Sequence, residues 1–255
     1  TAPGHATLLT GVHADVHGVI GNDWIDRGTW EMVNSVEDPQ SPLVGVAAGE
    51  LGPAAAARPE KTGRSPKNLL APTVADRLKE RYGADSRVIA LSNKDRSAIL
   101  LGGQRADGAY WDEVGRMVTS RHYAARLPEW VEAFNAEQRV HAAFGKTWER
   151  LLPAAVYEQV QGPDDQAGEN EGMGLGRTFP KRVDGGAKAV GAAFFSAFDN
   201  TPFATEVLGE FAQRAIRAER LGHHPGVDFL GVSFSQVDAI GHAYGPDSHE
   251  LMDSM

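Results

Sequence analysis

A short apolar run that ends in polar residues constrains the fold of this chain more than any other segment. The run extends from Phe229 to Phe234, with Asp228 before it and Gly241 after it. Such a run is typical of a buried strand that stops where polar residues begin. Sites in α/β folds lie at the ends of such strands. The sequence therefore predicts an α/β fold with a site close to Asp238.

A helix pattern followed by a strand pattern indicates the same fold class. Residues 73–82 alternate as an amphipathic helix that Gly83 ends, and residues 87–92 form a second buried-strand pattern. A hairpin around Gly115 and a helix over residues 127–135 are interpreted as additions outside the main sheet. We predict an accessory or cap insertion over about residues 103–195.

Composition excludes several classes of protein and of site. The 255 residues are 42% hydrophobic and carry a net charge of -9, which is typical of a soluble globular protein and argues against nucleic acid as the main partner. No apolar run approaches the roughly 18 residues of a membrane span. The chain contains no cysteine, so any metal ligands must come from His, Asp, Glu or hydroxyl groups.

Three sets of residues have side chains suited to catalysis or metal binding: an aspartate–histidine pair, a threonine and a pair of cations. Each set also has an ordinary structural interpretation. Asp238 and His242 would share one helix face and are good zinc ligands, although this spacing is common by chance. Thr1 would lie at a helix N-terminus, where its hydroxyl is either a nucleophile or a simple cap. Lys94 and Arg96 follow a strand and either hold a dianionic phosphoryl group or face water.

Four segments, in order, resemble one enzyme family. They are TAPGHATLLTG at 1–11, VHGVIGNDW at 16–24, SNKDR at 92–96 and SFSQVDAIGHAYGPDS at 233–248. Together they resemble alkaline phosphatases of the type I phosphodiesterase/nucleotide pyrophosphatase group, closest to the PafA-like bacterial phosphomonoesterases. The resemblance covers nearly the whole chain and implies a mostly parallel central sheet flanked by helices, within a partial domain that spans residues 1–255.

The resemblance also implies a role for each site residue. Thr1 would be the nucleophile and a zinc-bridging oxygen, and Asn22 would donate to a phosphate oxygen. Lys94 and Arg96 would form the phosphoryl clamp, and Asp238 and His242 would bind one of two zinc ions. It further implies small phosphorylated substrates and a periplasmic or secreted location, and we expect a monomer.

The chain departs from the family pattern at both ends. The family's aspartate ligand before the threonine motif, and its later Asp-His pair and distal His, have no counterpart among residues 1–255. We therefore expect an internal fragment of a longer enzyme that is inactive when expressed alone.

The other histidines and acids are interpreted as structural. We expect His17 to be a turn residue bonded to backbone and His5 to pack near the Thr1 turn. His223 and His224 are expected to be exposed, and the Asp164–Asp165 loop is expected to lack convergent partners.

The predicted function is hydrolysis of phosphate monoesters through a phosphothreonine intermediate. Within the same family, a nucleotide pyrophosphatase or phosphodiesterase is the alternative. From other classes, two alternatives remain open: an amidohydrolase that uses Thr1 and its free amine, and a non-catalytic fragment or binding module that keeps the fold but lacks part of the metal site.

Overall fold

The computed structural model of the protein describes residues 1–57 and 62–255. These residues form two compact units, the first made of 1–137 with 210–233 and the second of 138–209 with 234–255. Within the described residues, no helix is both long and apolar enough to cross a membrane.

Helices and strands alternate along most of the chain. In chain order they are α1 (Ala2–Thr10), α2 (Ala14–His17), β1 (Asp23–Ile25), β2 (Met32–Asn34), β3 (Leu43–Val44), α3 (Pro53–Ala57), α4 (Val74–Tyr82), β4 (Val88–Ser92), α5 (Asp95–Gly102), β5 (Gly108–Glu113), β6 (Arg116–Ser120), α6 (Glu129–Ala136), β7 (Thr147–Trp148), α7 (Ala154–Gln161), β8 (Lys181–Arg182), α8 (Ala192–Phe198), α9 (Pro202–Ala218), β9 (Phe229–Ser233), α10 (Gln236–Tyr244) and α11 (His249–Ser254).

The first unit contains a five-stranded mixed sheet in the order β3-β6-β5-β4-β9. β4 pairs in parallel with both β5 and β9, whereas β6 pairs antiparallel with β3 and β5. All five side chains of β4 are buried, as expected for a parallel strand covered on both faces. The α/β prediction is confirmed, with parallel pairing at the β5-β4-β9 side of the sheet.

Helix ends in the first unit follow the sequence signals. The Thr73 hydroxyl accepts from the Asp76 N–H while Asp76 binds back to the Thr73 backbone, which satisfies two free N–H groups at the start of α4. Gly11 ends α1 with φ of 70°, a conformation that glycine adopts without strain. The buried face of α1 and α5 then packs in the main core with Trp111 of β5.

The hairpin around Gly115 forms as predicted, but its expected location outside the main sheet is wrong. β5 hydrogen-bonds to β4, so the hairpin supplies two of the five strands of the sheet. An alternating pattern specifies which residues face inward but not which strand they pair with, because that choice depends on long-range contacts. The boundaries of an accessory insertion stay a prediction.

The second unit contains a buried group of hydrogen bonds around one carboxylate. Asp253 of α11 accepts hydrogen bonds from the Trp148 indole at 2.7 Å, from the Leu151 N–H at 2.8 Å and from the Tyr157 hydroxyl. Three donors on one carboxylate satisfy a buried charge that would otherwise be costly to remove from water. These bonds join α11 to residues 148–157 within the unit.

Candidate active site

Thr1 lies at the N-cap of α1, and its hydroxyl makes no capping hydrogen bond. The side chain is exposed. A capping threonine would bond to the N–H of the second or third helical residue, so the ordinary interpretation of Thr1 as a cap does not describe this helix. The hydroxyl therefore lies at the positive end of α1 and is not engaged in a capping hydrogen bond.

Asn22 is bonded to the first residue of the same helix. Its Oδ1 atom accepts from the Ala2 N–H at 2.8 Å. Because a backbone N–H can only donate, the atom facing Ala2 is the amide oxygen, and the Nδ2 group must point elsewhere. Asn22 thus caps the first N–H of α1, next to Thr1, with its amide oxygen and not with its amide nitrogen.

Lys94 and Arg96 come together at the start of α5, directly after β4. Lys94 is the N-cap residue and Arg96 lies in the first turn. Asp95 Oδ2 forms a 2.6 Å ion pair with Arg64 Nε. The other carboxylate oxygen, Asp95 Oδ1, is 3.6 Å from the Arg96 guanidinium. No acceptor within the part of the chain that the structure describes bonds to the buried Nε atom of Arg96.

These two cations stand where the helix dipole is unfavourable for positive charge. A helix N-terminus carries roughly half a positive charge and therefore attracts anions, and Asp95 in the first turn supplies one negative charge beside the two cations. A planar guanidinium presents paired donors to two oxygens of a phosphate. The arrangement is therefore chemically suited to an anion of high charge.

His5, on the same helix as Thr1, links two of the segments. Its Nδ1 atom lies 2.9 Å from the Thr1 carbonyl oxygen, and its Nε2 atom lies 2.9 Å from the Ser233 hydroxyl at the end of β9. Burial is the main cause that lowers the pKa of His5; the nearby Lys94 and Arg96 lower it further, while the bond to Thr1 opposes them. The sequence analysis expected only packing here. The available signal was the four-residue spacing, which places His5 on the Thr1 face of a helix.

Asp238 and His242 occupy one face of α10, in the second unit. The Asp238 Oδ1 atom and the His242 Nε2 atom are 3.4 Å apart, and their side chains are 49% and 83% exposed. The helical spacing that the sequence analysis required for a shared ligand face is thus present. Carboxylate and imidazole are both zinc ligands, so the pair fits one side of a zinc site. Among residues 1–57 and 62–255 there is no group of three or more His, Asp or Glu side chains arranged to hold a metal ion.

The histidine before Asn22 is structural, as expected. His17 is fully buried, and its Nδ1 atom accepts from the Val19 N–H at 3.1 Å. The Nε2 atom therefore carries the proton and faces the Thr7 hydroxyl at 3.0 Å. Burial lowers the pKa of His17. A neutral imidazole with hydrogen bonds at both ring nitrogens stabilises the turn after α2.

Two predictions about surface loops are wrong. Asp164 has convergent partners, since its carboxylate lies 2.6 Å from Arg150 and 3.1 Å from His249, and it accepts from the Phe179 N–H. His224 is only 21% exposed and pairs with Asp228 at 2.7 Å, while His223 is exposed as expected. All of these partners are distant in sequence or lie across a turn. The local sequence pattern therefore does not predict these contacts.

Comparison with known proteins gives the family. The family model described as type I phosphodiesterase / nucleotide pyrophosphatase matches residues 1–255. Alkaline phosphatase PhoV of Synechococcus elongatus is 37% identical over all of this chain, which spans 44% of PhoV. The crystal structure of wild-type alkaline phosphatase PafA superposes with a TM-score of 0.88 at 31% identity, over 100% of this chain and 47% of that one.

A second solved structure is of a PafA variant in which a threonine, an asparagine, a lysine and an arginine are replaced. It covers 100% of this chain and 47% of its own, with a TM-score of 0.86 and 30% identity. The present chain thus spans less than half the length of these relatives. The sequence match over every residue and the shared fold place this chain in the type I phosphodiesterase/nucleotide pyrophosphatase family of hydrolases.

Proposed function

We propose that the protein hydrolyses phosphate monoesters through a phosphothreonine intermediate at Thr1. The observation that carries the proposal is the bond from the Ala2 N–H to Asn22 Oδ1. It holds the Asn22 side chain against the helix end that presents the Thr1 hydroxyl, with the amide nitrogen turned away from the Ala2 N–H. A nucleophile and a donor to the attacked phosphoryl group are thereby held next to each other, as acyl- and phosphoryl-transfer sites require.

The reaction then divides into two displacements. In the first, the Thr1 oxygen forms a bond to phosphorus, the bond to the leaving oxygen breaks, and the hydroxyl proton is released to solvent while the leaving oxygen takes a proton from water. In the second, water attacks phosphorus, the bond to the Thr1 oxygen breaks, and phosphate and the threonine hydroxyl are regenerated. Splitting one difficult step into two in this way is the ordinary gain of covalent catalysis.

Lys94, Arg96 and Asn22 bind the oxygens that stay on phosphorus. Two observations support this role: Lys94 and Arg96 both lie at the start of α5, and within the described residues no acceptor bonds to the buried Nε atom of Arg96. Charge on these oxygens is partly neutralised in both displacements, and each correctly placed donor contributes about 10²- to 10³-fold in rate. A monoester carries one more charge than a diester, so two cations favour the monoester.

The PafA variant supports the same four residue types. Its threonine-to-asparagine spacing and its lysine-to-arginine spacing equal those of Thr1 to Asn22 and of Lys94 to Arg96. Four replaced residues with two matching spacings are a specific pattern. We assign the four positions of this chain on that basis.

Asp238 and His242 would hold one zinc ion, as the family resemblance implies. When bound, zinc lowers the pKa of coordinated hydroxyl groups and offsets charge on phosphoryl and leaving-group oxygens. The exposed carboxylate and imidazole of α10 contribute the protein ligands that the described residues offer to such an ion.

We also propose a periplasmic or secreted location on the same resemblance, which cell fractionation with an antibody would test.

The nucleophile is tested by trapping the intermediate. The longer enzyme that we expect to contain residues 1–255 is mixed with a phosphate monoester, quenched in acid and digested, and the phosphorylated peptide is identified by mass spectrometry. We expect phosphate on Thr1, and no phosphopeptide from Thr1→Ala. Thr10→Ala is the matched control, because Thr10 lies on the same helix and its hydroxyl bonds to the Ala6 carbonyl. Phosphate on another residue would overturn the assignment.

Substrate preference is tested with p-nitrophenyl phosphate and bis(p-nitrophenyl) phosphate. We expect a larger kcat/KM for the monoester. A larger value for the diester would favour the phosphodiesterase alternative that the family name includes.

A further inference from the structure

One hydrogen-bonded path joins the proposed nucleophile to the proposed clamp. The Thr1 carbonyl contacts His5 Nδ1 at 2.9 Å, and His5 Nε2 contacts the Ser233 hydroxyl at 2.9 Å. The Ser233 carbonyl accepts from the Ser92 hydroxyl at 3.0 Å, and the same Ser92 oxygen accepts from the Lys94 N–H at 3.2 Å. Every member lies in the first compact unit.

The donors and acceptors along the path are mutually consistent. The Thr1 carbonyl can only accept, so His5 Nδ1 carries a proton and donates it. In the neutral imidazole the Nε2 atom is then the acceptor, and the Ser233 hydroxyl donates to it. Ser92 has one hydroxyl proton, which it gives to the Ser233 carbonyl, while its lone pair accepts from Lys94.

The path adds contacts that the sheet ladder does not provide. Ser92 and Ser233 face each other as the last paired residues of β4 and β9. Backbone pairing fixes these two strands, but it does not extend to the turn that carries Thr1 or to the N-cap of α5. The imidazole of His5 and the fully buried hydroxyl of Ser92 supply those two connections.

We propose that His5 is a positioning residue for the reaction. It fixes the position of Thr1 relative to Lys94 through the hydrogen bonds of Ser233 and Ser92. The inference rests on the proposed function. His5 touches no reacting atom in this role; it sets where the Thr1 hydroxyl stands relative to the phosphoryl oxygens that Lys94 binds. A misplacement of about 1 Å at such a site costs on the order of 100-fold in rate.

The kinetic test compares substitutions that keep one ring nitrogen or the other. Asparagine places an amide near the Nδ1 position, and glutamine places one near the Nε2 position. In the longer enzyme that we expect to contain residues 1–255, His5→Ala and His5→Asn should lower kcat for p-nitrophenyl phosphate by about 10- to 100-fold with little change in KM. His5→Gln, which can still reach Ser233, should recover most of the rate. His13→Ala is the matched control, because His13 is exposed and makes no side-chain capping bond.

A double-mutant cycle tests whether His5 acts through Ser233. Ser233→Ala should lower kcat, and adding it to His5→Ala should cause almost no further loss, because both changes break the same path. Independent, multiplicative losses would overturn the proposal. A fall in activity that affects KM as much as kcat, or equal rates for the Asn and Gln variants, would also overturn it.

A spectroscopic measurement separates this proposal from the proposed function. In protein labelled on lysine nitrogen, the Lys94 amide signal should shift in Ser92→Ala and in His5→Ala, but stay in place in His5→Gln and in His13→Ala. An unchanged Lys94 signal in His5→Ala would show that no path exists, whatever the activity. If the unsubstituted protein hydrolyses no phosphate ester while the Lys94 signal responds, then the proposed function fails and the connection itself stands.

Discussion

Lys181 and Glu250 form an ion pair with both side chains fully buried and their charged atoms 2.7 Å apart. The Lys181 ammonium also lies 4.4 Å from the centre of the Tyr244 ring and donates to the Gly176 carbonyl. Burial lowers the pKa of Lys181 and raises the pKa of Glu250, and the contact between them opposes both shifts. The pair therefore joins β8 to α11 inside the second unit at a high desolvation cost.

The first prediction is that breaking this pair is more harmful than removing it. Lys181→Met leaves the Glu250 carboxylate buried and unpaired, and should lower the free energy of unfolding by about 3 to 5 kcal/mol. The double variant Lys181→Met with Glu250→Leu should recover most of the lost free energy of unfolding, because no buried charge remains. Chemical denaturation measures both. Lys188→Met, at an exposed position of the same unit, is the control. A double variant as unstable as the single one would contradict the argument.

The second prediction concerns acid stability and Asp38. Burial raises the pKa of this carboxyl, but the Ser65 and Ser41 hydroxyls, each at 2.7 Å, and the Gln40 N–H outweigh it and leave the pKa below its usual value. A depressed pKa in the folded state contributes stability that is present above the unfolded pKa of 3.8 and is lost as pH falls through the folded pKa.

Asp38→Asn should therefore destabilise the protein at pH 7 by about 1 to 3 kcal/mol, since the Ser41 and Ser65 hydroxyls both lose a charged acceptor. The difference from the unsubstituted protein should shrink as pH falls below the usual carboxyl range. Urea unfolding at several pH values measures it. A difference that stays constant down to the lowest pH would show that the charge of Asp38 does not contribute.

The third prediction concerns the clamp. In the longer enzyme that we expect to contain residues 1–255, Lys94→Ala and Arg96→Ala should each reduce kcat/KM for a phosphate monoester by about 10²- to 10³-fold, because each removes a donor to the transferred group. Hydrolysis of a diester should fall less, since it presents less charge. Arg81→Ala, exposed on α4, is expected to have no effect. Equal losses on both substrates would contradict a monoester-specific clamp.

The fourth prediction concerns zinc. Residues 1–255 alone should bind zinc weakly, because Asp238 and His242 supply two protein ligands where firm sites have three or four. Asp238→Ala and His242→Ala should abolish what binding there is, measured by competition with a chromogenic chelator. His13→Ala should leave it unchanged. Tight binding that survives Asp238→Ala would place the metal elsewhere.

Local patterns predicted the elements that local chemistry determines. Gly11 and Gly83 mark the ends of α1 and α4, and the apolar runs before Ser92 and Ser233 became the two parallel neighbours β4 and β9. Asn22 has no local signal of function, because a single asparagine before a strand is an ordinary turn residue. Its assignment needed the family resemblance, and its bond to Ala2 needed the structure.

Contacts across large sequence separations lay outside what the pattern could predict. His5 and Ser233 are 228 residues apart, and neither belongs to a motif that names the other. The partners of Asp164 come from residue 150 and residue 249, on opposite sides of an acidic loop. Such bonds depend on chain topology, which periodicity does not encode.

β9 hydrogen-bonds to β4 alone in the part of the chain that the structure describes, so it is an edge strand there. An edge strand is anchored by one row of hydrogen bonds and opens more readily than a central one. The Ser92 hydroxyl adds a bond at the last paired residue, where fraying would begin. Slow amide exchange at Ser233 relative to Phe229 would then measure how firmly this end of the sheet stays closed.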